Sequence, residues 1–486
     1  MAHACTGAAG RVVTRILSSS GLRRAEPPHT RGWRLAAAGE WLRRNQRALR
    51  WLQWGVVVIY AVLLIVPAVM PLPGNAAHIW DNVTLFARFV FWGIWWPGVL
   101  ISMLLFGRLW CGIMCPEGAL SEMASRHSRG RAIPRWIRWP GWPFAAFVLT
   151  TVYGQMISVY QYPLPVLLIL GGSTAGAILV GYLYGRNHRV WCRYLCPVNG
   201  VFGLLAKLAP MHYGVDREQW QRCPPRAGRT THVVCAPLVP LRTMESASAC
   251  HMCGRCAGFR DSIELRARPP GSEIVTVSAR TATPWDSLLI LFGLMGIAVG
   301  AFHWASSPWF IAVKQGAAGW LVEKGVFWPL EHGLPWWLLT NYPANNDIMS
   351  ILDGAILLGY IAATAVMMSA AIGLPLMAAA RMAGSSWNWQ RFHHLAHGLL
   401  PLAACGVILG LSAQSVSLLR SDGLRLLWVG DVRAAALAFS AAWSLYLIWK
   451  IAGQYRDGFH RAATTFFGAA AVAVGIVPWL LLFWIW

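Results

Sequence analysis

The sequence predicts an all-α polytopic membrane protein with about nine transmembrane helices. Of its 486 residues, 56% are hydrophobic and only 12% are charged, and Lys and Arg outnumber Asp and Glu by 41 to 19. Soluble proteins carry about 25% charged residues, so this composition excludes an ordinary cytosolic enzyme, a disordered chain and a secreted disulfide scaffold. A basic excess in so apolar a chain is typical of arginines held on one side of a bilayer.

Charge-free runs locate the helices, since crossing the hydrocarbon core takes about 20 residues. The run 139–185 is long enough for two helices, and Pro163 and Pro165 near its middle predict a hairpin, because proline disfavours helix at the residue before it. The stretch 306–348, rich in Trp, Pro and Gly, is expected at the surface or as a re-entrant segment. The predicted spans are 51–80, 89–107, two within 139–185, 286–305, 351–376, 393–417, 433–452 and 462–484.

The arginines predict the orientation of these helices. Residues 1–50 contain ten arginines and 108–138 contain six, whereas the turn 73–85 and the hairpin 160–163 contain no Lys or Arg. The positive-inside rule therefore predicts a cytoplasmic N-terminus and cytoplasmic loops at 108–138 and 186–285. Because the basic residues follow the membrane topology and form no separate basic domain, no nucleic-acid partner is expected.

A short cysteine motif occurs twice in the chain. Residues 106–116 read FGRLWCGIMCP and residues 187–197 read NHRVWCRYLCP, and each copy follows a pair of predicted spans on the arginine-rich side. The repeat unit is therefore a helical hairpin followed by C-x3-C-P. The aligned copies share Arg108/Arg189, Trp110/Trp191, Cys111/Cys192, Cys115/Cys196 and Pro116/Pro197.

The spacing of this motif points to iron-sulfur chemistry. C-x3-C-P is the end of the ferredoxin run C-x2-C-x2-C-x3-C-P, whose thiolates hold a [4Fe-4S] cluster. Each copy supplies half of a four-cysteine site, so the two copies together predict one site, with Arg108 and Arg189 offsetting the negative charge of the cluster. A tetrathiolate zinc site and buried cysteines without a ligand are the alternatives, although zinc ligands more commonly come in C-x2-C pairs. The predicted ligands of the first cluster are Cys111, Cys115, Cys192 and Cys196.

A third cysteine group predicts a second cluster. Cys250, Cys253 and Cys256 form C-x2-C-x2-C, but the fourth ferredoxin position is occupied by Arg260. In two-cluster ferredoxins the fourth cysteine of each run binds the cluster of the other run, so an upstream cysteine is expected to complete the site. Cys235 is the favoured fourth ligand, and Cys223 is the alternative. A disulfide framework is disfavoured because these cysteines face the reducing cytoplasm.

Other polar residues in apolar regions are weaker candidates. His393 and His397 stand four residues apart and share a helix face, which allows haem b or metal ligation, or a quinone site, but also ordinary interfacial histidines at a helix end. Asp353 is a candidate because intramembrane carboxylates are costly and usually face a cavity. Groups in or beside the predicted periplasmic segments are candidates to bind a periplasmic metal, namely His78, Asp81, His303, His332 and Asp347.

With these motifs in hand, residues 50–270 resemble the membrane polyferredoxins of the NapH, NosR and CcoG type. The resemblance implies two [4Fe-4S] clusters and electron transfer at a bacterial inner membrane. The chain departs from that pattern in its incomplete ferredoxin segment, in the lack of a NosR-like flavin domain and in about five further spans. This layout is similar to the polyferredoxin (FtrD-like) component of Ftr-type bacterial iron-uptake systems.

These observations predict four regions and one leading function. The regions are a cytoplasmic arginine-rich tail (1–50), two hairpin-plus-motif repeats (51–200), a cytoplasmic ferredoxin-like segment (201–285) and a C-terminal helix bundle (286–486). The expected function is electron transfer from a cytoplasmic donor or quinol, through two clusters, to a periplasmic metal, metalloprotein or permease partner. The expected protein is an electron-transfer component rather than a stand-alone enzyme. The alternatives are transfer to a periplasmic reductase or copper-handling system, or a metal permease subunit with structural clusters.

Overall fold

The computed structural model describes residues 33–74, 76–222 and 233–486. Cys5, Cys223 and most of the predicted tail at 1–50 lie outside these ranges. Within them, eight helices are long and apolar enough to cross a membrane, and the predicted all-α polytopic membrane fold is confirmed. These crossing helices are Gln46–Val69, Val83–Phe106, Pro163–Tyr184, Pro284–Ser306, Ile351–Met382, Leu400–Ser421, Val429–Tyr455 and Phe459–Ile485.

One predicted span is shorter than the others. The helix Trp142–Met156 has 15 residues and leads into a turn, after which the next helix begins at Pro163. Proline is well tolerated in the first turn of a helix, where its missing N–H is not needed. The hairpin predicted from the prolines is therefore present, with one short arm and one of full length.

The other helices are short or lie outside the crossing set. They are Trp33–Arg44, Leu109–Ile113, Pro116–Arg126, Val190–Tyr194, Asn199–Ala206, Arg217–Arg222, Ser272–Thr276, Ser278–Thr281, Pro308–Glu323 and Trp389–His397, with 3-10 turns at Leu241–Thr243, Phe259–Asp261, Trp328–Leu330 and Pro343–Asn345. The described strands form two antiparallel pairs, Met211–Val215 with Ile263–Ala267 and Asn341–Tyr342 with Asp347–Ile348.

The loops at the two ends of the bundle differ in what they carry. At one end lie both cysteine motifs and the segment 185–283. Contacts such as the 2.7 Å hydrogen bond from Arg189 N to Ala236 O join them. At the other end Ser158 Oγ lies 2.7 Å from Thr340 Oγ1, and the Tyr162 hydroxyl donates to Asp347 at 2.8 Å. The stretch 306–348 thus folds as a largely exposed helix, Pro308–Glu323, followed by turns that return to this second end.

The C-terminal helices pack closely against each other and against the repeats. A β-carbon at Gly296 would lie 2.8 Å from Ala365 Cα, so these two helices approach at backbone contact, as small residues allow in membrane bundles. Ser415 Oγ donates to Trp92 O at 3.3 Å and links the bundle to the first repeat. Phe302, Val407 and Leu411 of the bundle line the cavity beside the first cysteine motif.

Candidate functional site

The two motif copies fold alike. Each forms a five-residue helix, Leu109–Ile113 or Val190–Tyr194, that ends just before its second cysteine. In the first copy Cys115 N donates to Trp110 O at 2.9 Å, and in the second Cys196 N donates to Trp191 O at 3.0 Å. The sequence repeat is therefore also a repeat of backbone structure.

The four cysteines of these copies line one cavity of about 230 Å³. Burial is the main reason that the pKa of Cys192 is raised to about 12 and that of Cys196 well above its ordinary value, and the charges of Glu117 and of neighbouring cysteines of the group contribute to both increases. A set of thiols that hinder one another's ionisation favours a cationic centre among them, since metal ligands must be deprotonated. The residues present thus fit an iron-sulfur cluster.

The second cysteine group gathers around the loop 250–256. Burial raises the pKa of Cys250 to about 12, with Cys253 and Cys235 adding to the effect, and Cys235 likewise contributes to the raised pKa of Cys256. Cys235 therefore lies within range of charge interaction with the cysteines of the C-x2-C-x2-C motif. The alternative, Cys223, lies outside the described residues.

Arg260, which occupies the fourth ferredoxin position, points elsewhere. Its guanidinium lies 5.0 Å from the centre of the Trp220 ring and donates from Nη1 to Trp220 O at 3.2 Å.

Across the described ranges, no three His, Cys, Asp or Glu side chains converge closely enough to hold a single metal ion.

The backbones of the two cysteine groups touch. Gly112, between the two cysteines of the first motif, lies against the His251–Cys253 loop, and a β-carbon at Gly112 would overlap the His251 carbonyl oxygen and lie 3.0 Å from Cys253 N. Only glycine fits this approach. The predicted sites are therefore neighbours.

Arg108 and Arg189 lie beside the cysteines, as expected from the repeat. Arg108 donates from Nη1 to Ser248 O at 2.7 Å and from Nη2 to Asn199 Oδ1 at 2.8 Å. Arg189 is fully buried and binds Glu122, with Nε to Oε2 at 2.9 Å. Both positive charges lower the pKa of Cys192, opposing the effect of its burial.

Sequence reasoning missed the polar residues that join these segments, above all Glu122, Gln46 and Gln53. Gln46 donates to Cys253 O and Gln53 donates to Gly112 O, each at 2.9 Å. The available signal for each of them was a charged or amide side chain close to an apolar run. This signal does not identify the group that the side chain binds, because that group is distant in sequence.

The C-terminal histidines join a different buried cluster. His397 donates from Nδ1 to His393 O at 2.8 Å, and its Nε2 lies 3.0 Å from Lys207 Nζ and 3.5 Å from Asp286 Oδ2. His393 Nδ1 lies 2.9 Å from Ser287 Oγ. The ring nitrogens of His397 are thus engaged by protein groups, and its role as a haem or metal ligand stays a prediction.

Asp353 is engaged as well. It forms a capping box with Ser350 at the start of its helix and lies 2.6 Å from Lys314 Nζ. The candidates at the same end of the bundle are scattered: Asp347 binds Tyr162, His78 lies 3.4 Å from Asp422, and His303 packs against Trp479. The structure does not bring the periplasmic candidates together into one site.

Comparison with known proteins supports an iron-sulfur assignment. A 4Fe-4S binding domain matches residues 89–134 and 167–215, which contain the two motif copies. The Escherichia coli protein YccM is 23% identical over 42% of this chain and 62% of its own length. The regulatory protein NosR of Pseudomonas aeruginosa is 28% identical over 24% of this chain and 19% of its own.

The ferredoxin-type protein NapH of Escherichia coli is 24% identical over 33% of this chain and 62% of its own length. The chain thus aligns with less than two thirds of each of these relatives. No solved structure is significantly similar to it. The chain therefore carries a 4Fe-4S binding domain match over both copies of its doubled cysteine motif and is similar to proteins of the NapH and NosR type, as the motif predicted.

Proposed function

We propose that this protein transfers electrons at the bacterial inner membrane through two [4Fe-4S] clusters. The first would be held by Cys111, Cys115, Cys192 and Cys196, and the second by Cys235, Cys250, Cys253 and Cys256. The observation that carries the proposal is the gathering of these eight cysteines, all buried or partly buried, into two groups whose backbones touch at Gly112. Bound clusters supply one-electron chemistry at potentials set by charge, hydrogen bonds and solvent exposure.

The protein's own residues prepare such sites in three ways. The thiolates would hold the iron, and Arg108 and Arg189, whose charges lower the pKa of Cys192, would offset the negative charge of the cluster. The tryptophans Trp95 and Trp110, whose ring centres are 5.1 Å apart, line the same cavity as the four cysteines and would limit the access of water to a bound cluster. Low water access strengthens the influence of each nearby charge on the cluster potential.

The cavity of the first group suggests how electrons enter. Its lining is mostly apolar and continues from the cysteines to residues deep in the bundle, among them Thr150, Tyr160 and Phe302. A lipid-soluble quinol could therefore approach the first cluster from within the membrane. A cytoplasmic electron donor would instead meet the second group, whose loop lies outside the crossing helices.

For the acceptor we propose a periplasmic metal or metalloprotein, with iron uptake as the pathway. The basis is the resemblance of the layout, a polyferredoxin unit followed by five further crossing helices, to the FtrD-like component of Ftr-type systems. The exposed arginines of the loop 126–138 support a cytoplasmic position for the cluster end. A permease role gains no support from Asp353, whose carboxylate is engaged by Ser350 and Lys314.

Iron and acid-labile sulfide analysis of the purified protein tests the proposal. We expect about eight iron atoms per chain, as two [4Fe-4S] clusters require, and about half of that in Cys111→Ser and in Cys250→Ser. Cys405→Ser, which removes a thiol far from both groups in sequence, is the matched control and should retain full iron. Zinc in place of iron, without visible charge-transfer absorbance, would overturn the proposal.

A further inference from the structure

One buried carboxylate joins the segments that carry the cysteines. Glu122 lies on the helix Pro116–Arg126, directly after the first motif copy. It accepts from Arg189 of the second copy at 2.9 Å. It also accepts from Arg255, which stands between Cys253 and Cys256, with Nη2 at 2.6 Å from Oε1 and 2.9 Å from Oε2. Three segments distant in sequence thus meet at one side chain.

Arg189, Glu122 and Arg255 form an ion triad. Its two arginines also connect to the backbone of the cysteine motifs. Arg189 donates from Nη1 to Cys111 O at 2.6 Å. Arg255 lies 3.3 Å from Gln46 Oε1, and Gln46 in turn donates to Cys253 O. Each arginine therefore connects Glu122 to a cysteine residue, Arg189 to one of the first group and Arg255, through Gln46, to one of the second.

The charges of the triad are paired and two of the three are well buried, while the Arg255 side chain is 23% exposed. Arg189 is fully buried and the Glu122 side chain is 11% exposed. Burial would raise the pKa of Glu122, but the charges of Arg189 and Arg255 outweigh it and hold the pKa below its ordinary value. A buried ion network adds little stability over apolar residues of the same volume, and its better attested role is to specify one arrangement.

Gly112 lies next to the triad, since it directly follows Cys111, whose carbonyl oxygen binds Arg189. Its backbone contacts the His251–Cys253 loop, and Gln53 donates to its carbonyl oxygen at 2.9 Å. A direct backbone contact between the segments of the two cysteine groups therefore runs through Gly112 and that loop. The ion triad flanks this connection.

We propose that Gly112 and the Arg189–Glu122–Arg255 triad form the junction that fixes the two clusters relative to each other for electron transfer between them. Gly112 and Glu122 are positioning residues, since neither supplies a ligand. In the step they serve, one electron leaves one cluster and enters the other, while no bond forms or breaks and no proton moves. This inference rests on the proposed function, because it requires both clusters.

The test compares wild type with Gly112→Ala, Glu122→Gln and Glu122→Asp. The matched control is Glu245→Gln, because Glu245 also pairs with two arginines, Arg217 and Arg280, but at an exposed site. Iron content is measured first. EPR of the fully reduced protein then reports the magnetic interaction between the clusters, and redox titration reports each midpoint potential.

We expect wild type and Glu245→Gln to show full iron and an interaction spectrum. Gly112→Ala and Glu122→Gln should keep both clusters but lose the interaction, and Glu122→Gln should shift both potentials upward because a negative charge is removed. Glu122→Asp should partly restore the interaction. Full iron with an unchanged interaction in Gly112→Ala and Glu122→Gln would overturn the proposed junction. Loss of iron from Gly112→Ala and both Glu122 variants would also overturn it, because these residues would then serve only to hold the structure together. Absence of iron from wild type would overturn the proposed function instead.

Discussion

The Nη1 atom of Arg189 donates a 2.6 Å hydrogen bond to the carbonyl oxygen of Cys111. The arginine of the second motif copy thereby binds a cysteine of the first. The equivalent residue of the first copy, Arg108, binds Ser248 and Asn199 instead. The repeat is thus symmetric in its backbone and asymmetric in its arginines: among the residues that the structure describes, Arg189 is paired with a carboxylate and Arg108 is not.

This asymmetry predicts that Arg189 is essential to the stability of the cluster end. Arg189→Met should destabilise the protein by about 3–5 kcal/mol, the usual cost of removing one partner from a buried ion pair, partly reduced because Arg255 still neutralises Glu122. Thermal unfolding in detergent measures the effect. Arg135→Met, at an exposed position of the loop 126–138, should change the unfolding temperature little. Equal effects of the two substitutions would contradict the prediction.

The fold and the first cysteine group were predictable because both depend on local pattern. Apolar length marks each crossing helix, and the doubled C-x3-C-P motif places four cysteines by simple repetition. The short helix Trp142–Met156 escaped this reasoning: its charge-free run continues through the turn to Pro163, so composition does not mark where the helix ends.

The polar junction was not predictable, since its contacts join residues far apart in sequence. Glu122 follows an ordinary helical spacing and pairs with Arg189 and Arg255, 67 and 133 positions away. Nothing in the local sequence distinguishes such a carboxylate from an exposed one. The same limitation applies to Lys207, whose distance of 3.0 Å from His397 depends on the packing of two separate helices.

A second prediction concerns the fourth ligand of the second cluster. Cys235→Ser should remove the EPR signal of that cluster while the first remains, because Cys235 lies close enough to Cys250 and Cys256 to raise the pKa of both thiols. Its segment is also fixed in place, with Arg189 N donating to Ala236 O at 2.7 Å. Cys223→Ser is the comparison variant and should keep both signals. Loss of the second signal in Cys223→Ser alone would assign the ligand to Cys223.

A third prediction concerns pH. His394 is fully buried, between Tyr455 OH at 2.8 Å from Nδ1 and Ile274 O at 2.7 Å from Nε2, and burial lowers its pKa to about 3. In the unfolded chain a histidine takes up a proton below about pH 6.5. The folded state therefore loses stability as the pH falls from about 6.5 towards 3, by up to about 1.4 kcal/mol per pH unit for this one group.

The apparent melting temperature in detergent, measured between pH 7.5 and 5, reports this loss. His394→Gln should flatten the dependence, because an amide can donate to Ile274 O and accept from Tyr455 without titrating. His127→Gln, at an exposed position, should leave the profile unchanged. An identical slope in wild type and His394→Gln would show that other groups cause the pH dependence.

The last prediction concerns the route of an apolar electron donor. Thr150 lines the cavity that continues from the first cysteine group, and the preceding residue, Leu149, points outward with 63% of its surface exposed. Thr150→Phe should fill part of the cavity, whereas Leu149→Phe adds a similar ring on the lipid-facing side of the same helix. The two substitutions therefore separate a blocked route from a general effect of added bulk.

We expect Thr150→Phe to slow reduction of the clusters by a soluble quinol analogue at least tenfold, equivalent to about 1.4 kcal/mol of barrier, while reduction by dithionite and iron content stay unchanged. Leu149→Phe should behave as wild type with both reductants. Stopped-flow absorbance of the cluster bands measures both rates. Because dithionite acts from water and the quinol analogue partitions into the apolar cavity, equal slowing by Thr150→Phe with both reductants would indicate damage to the cluster. Unchanged rates with both would exclude the cavity as the route of entry and favour a cytoplasmic donor at the second group.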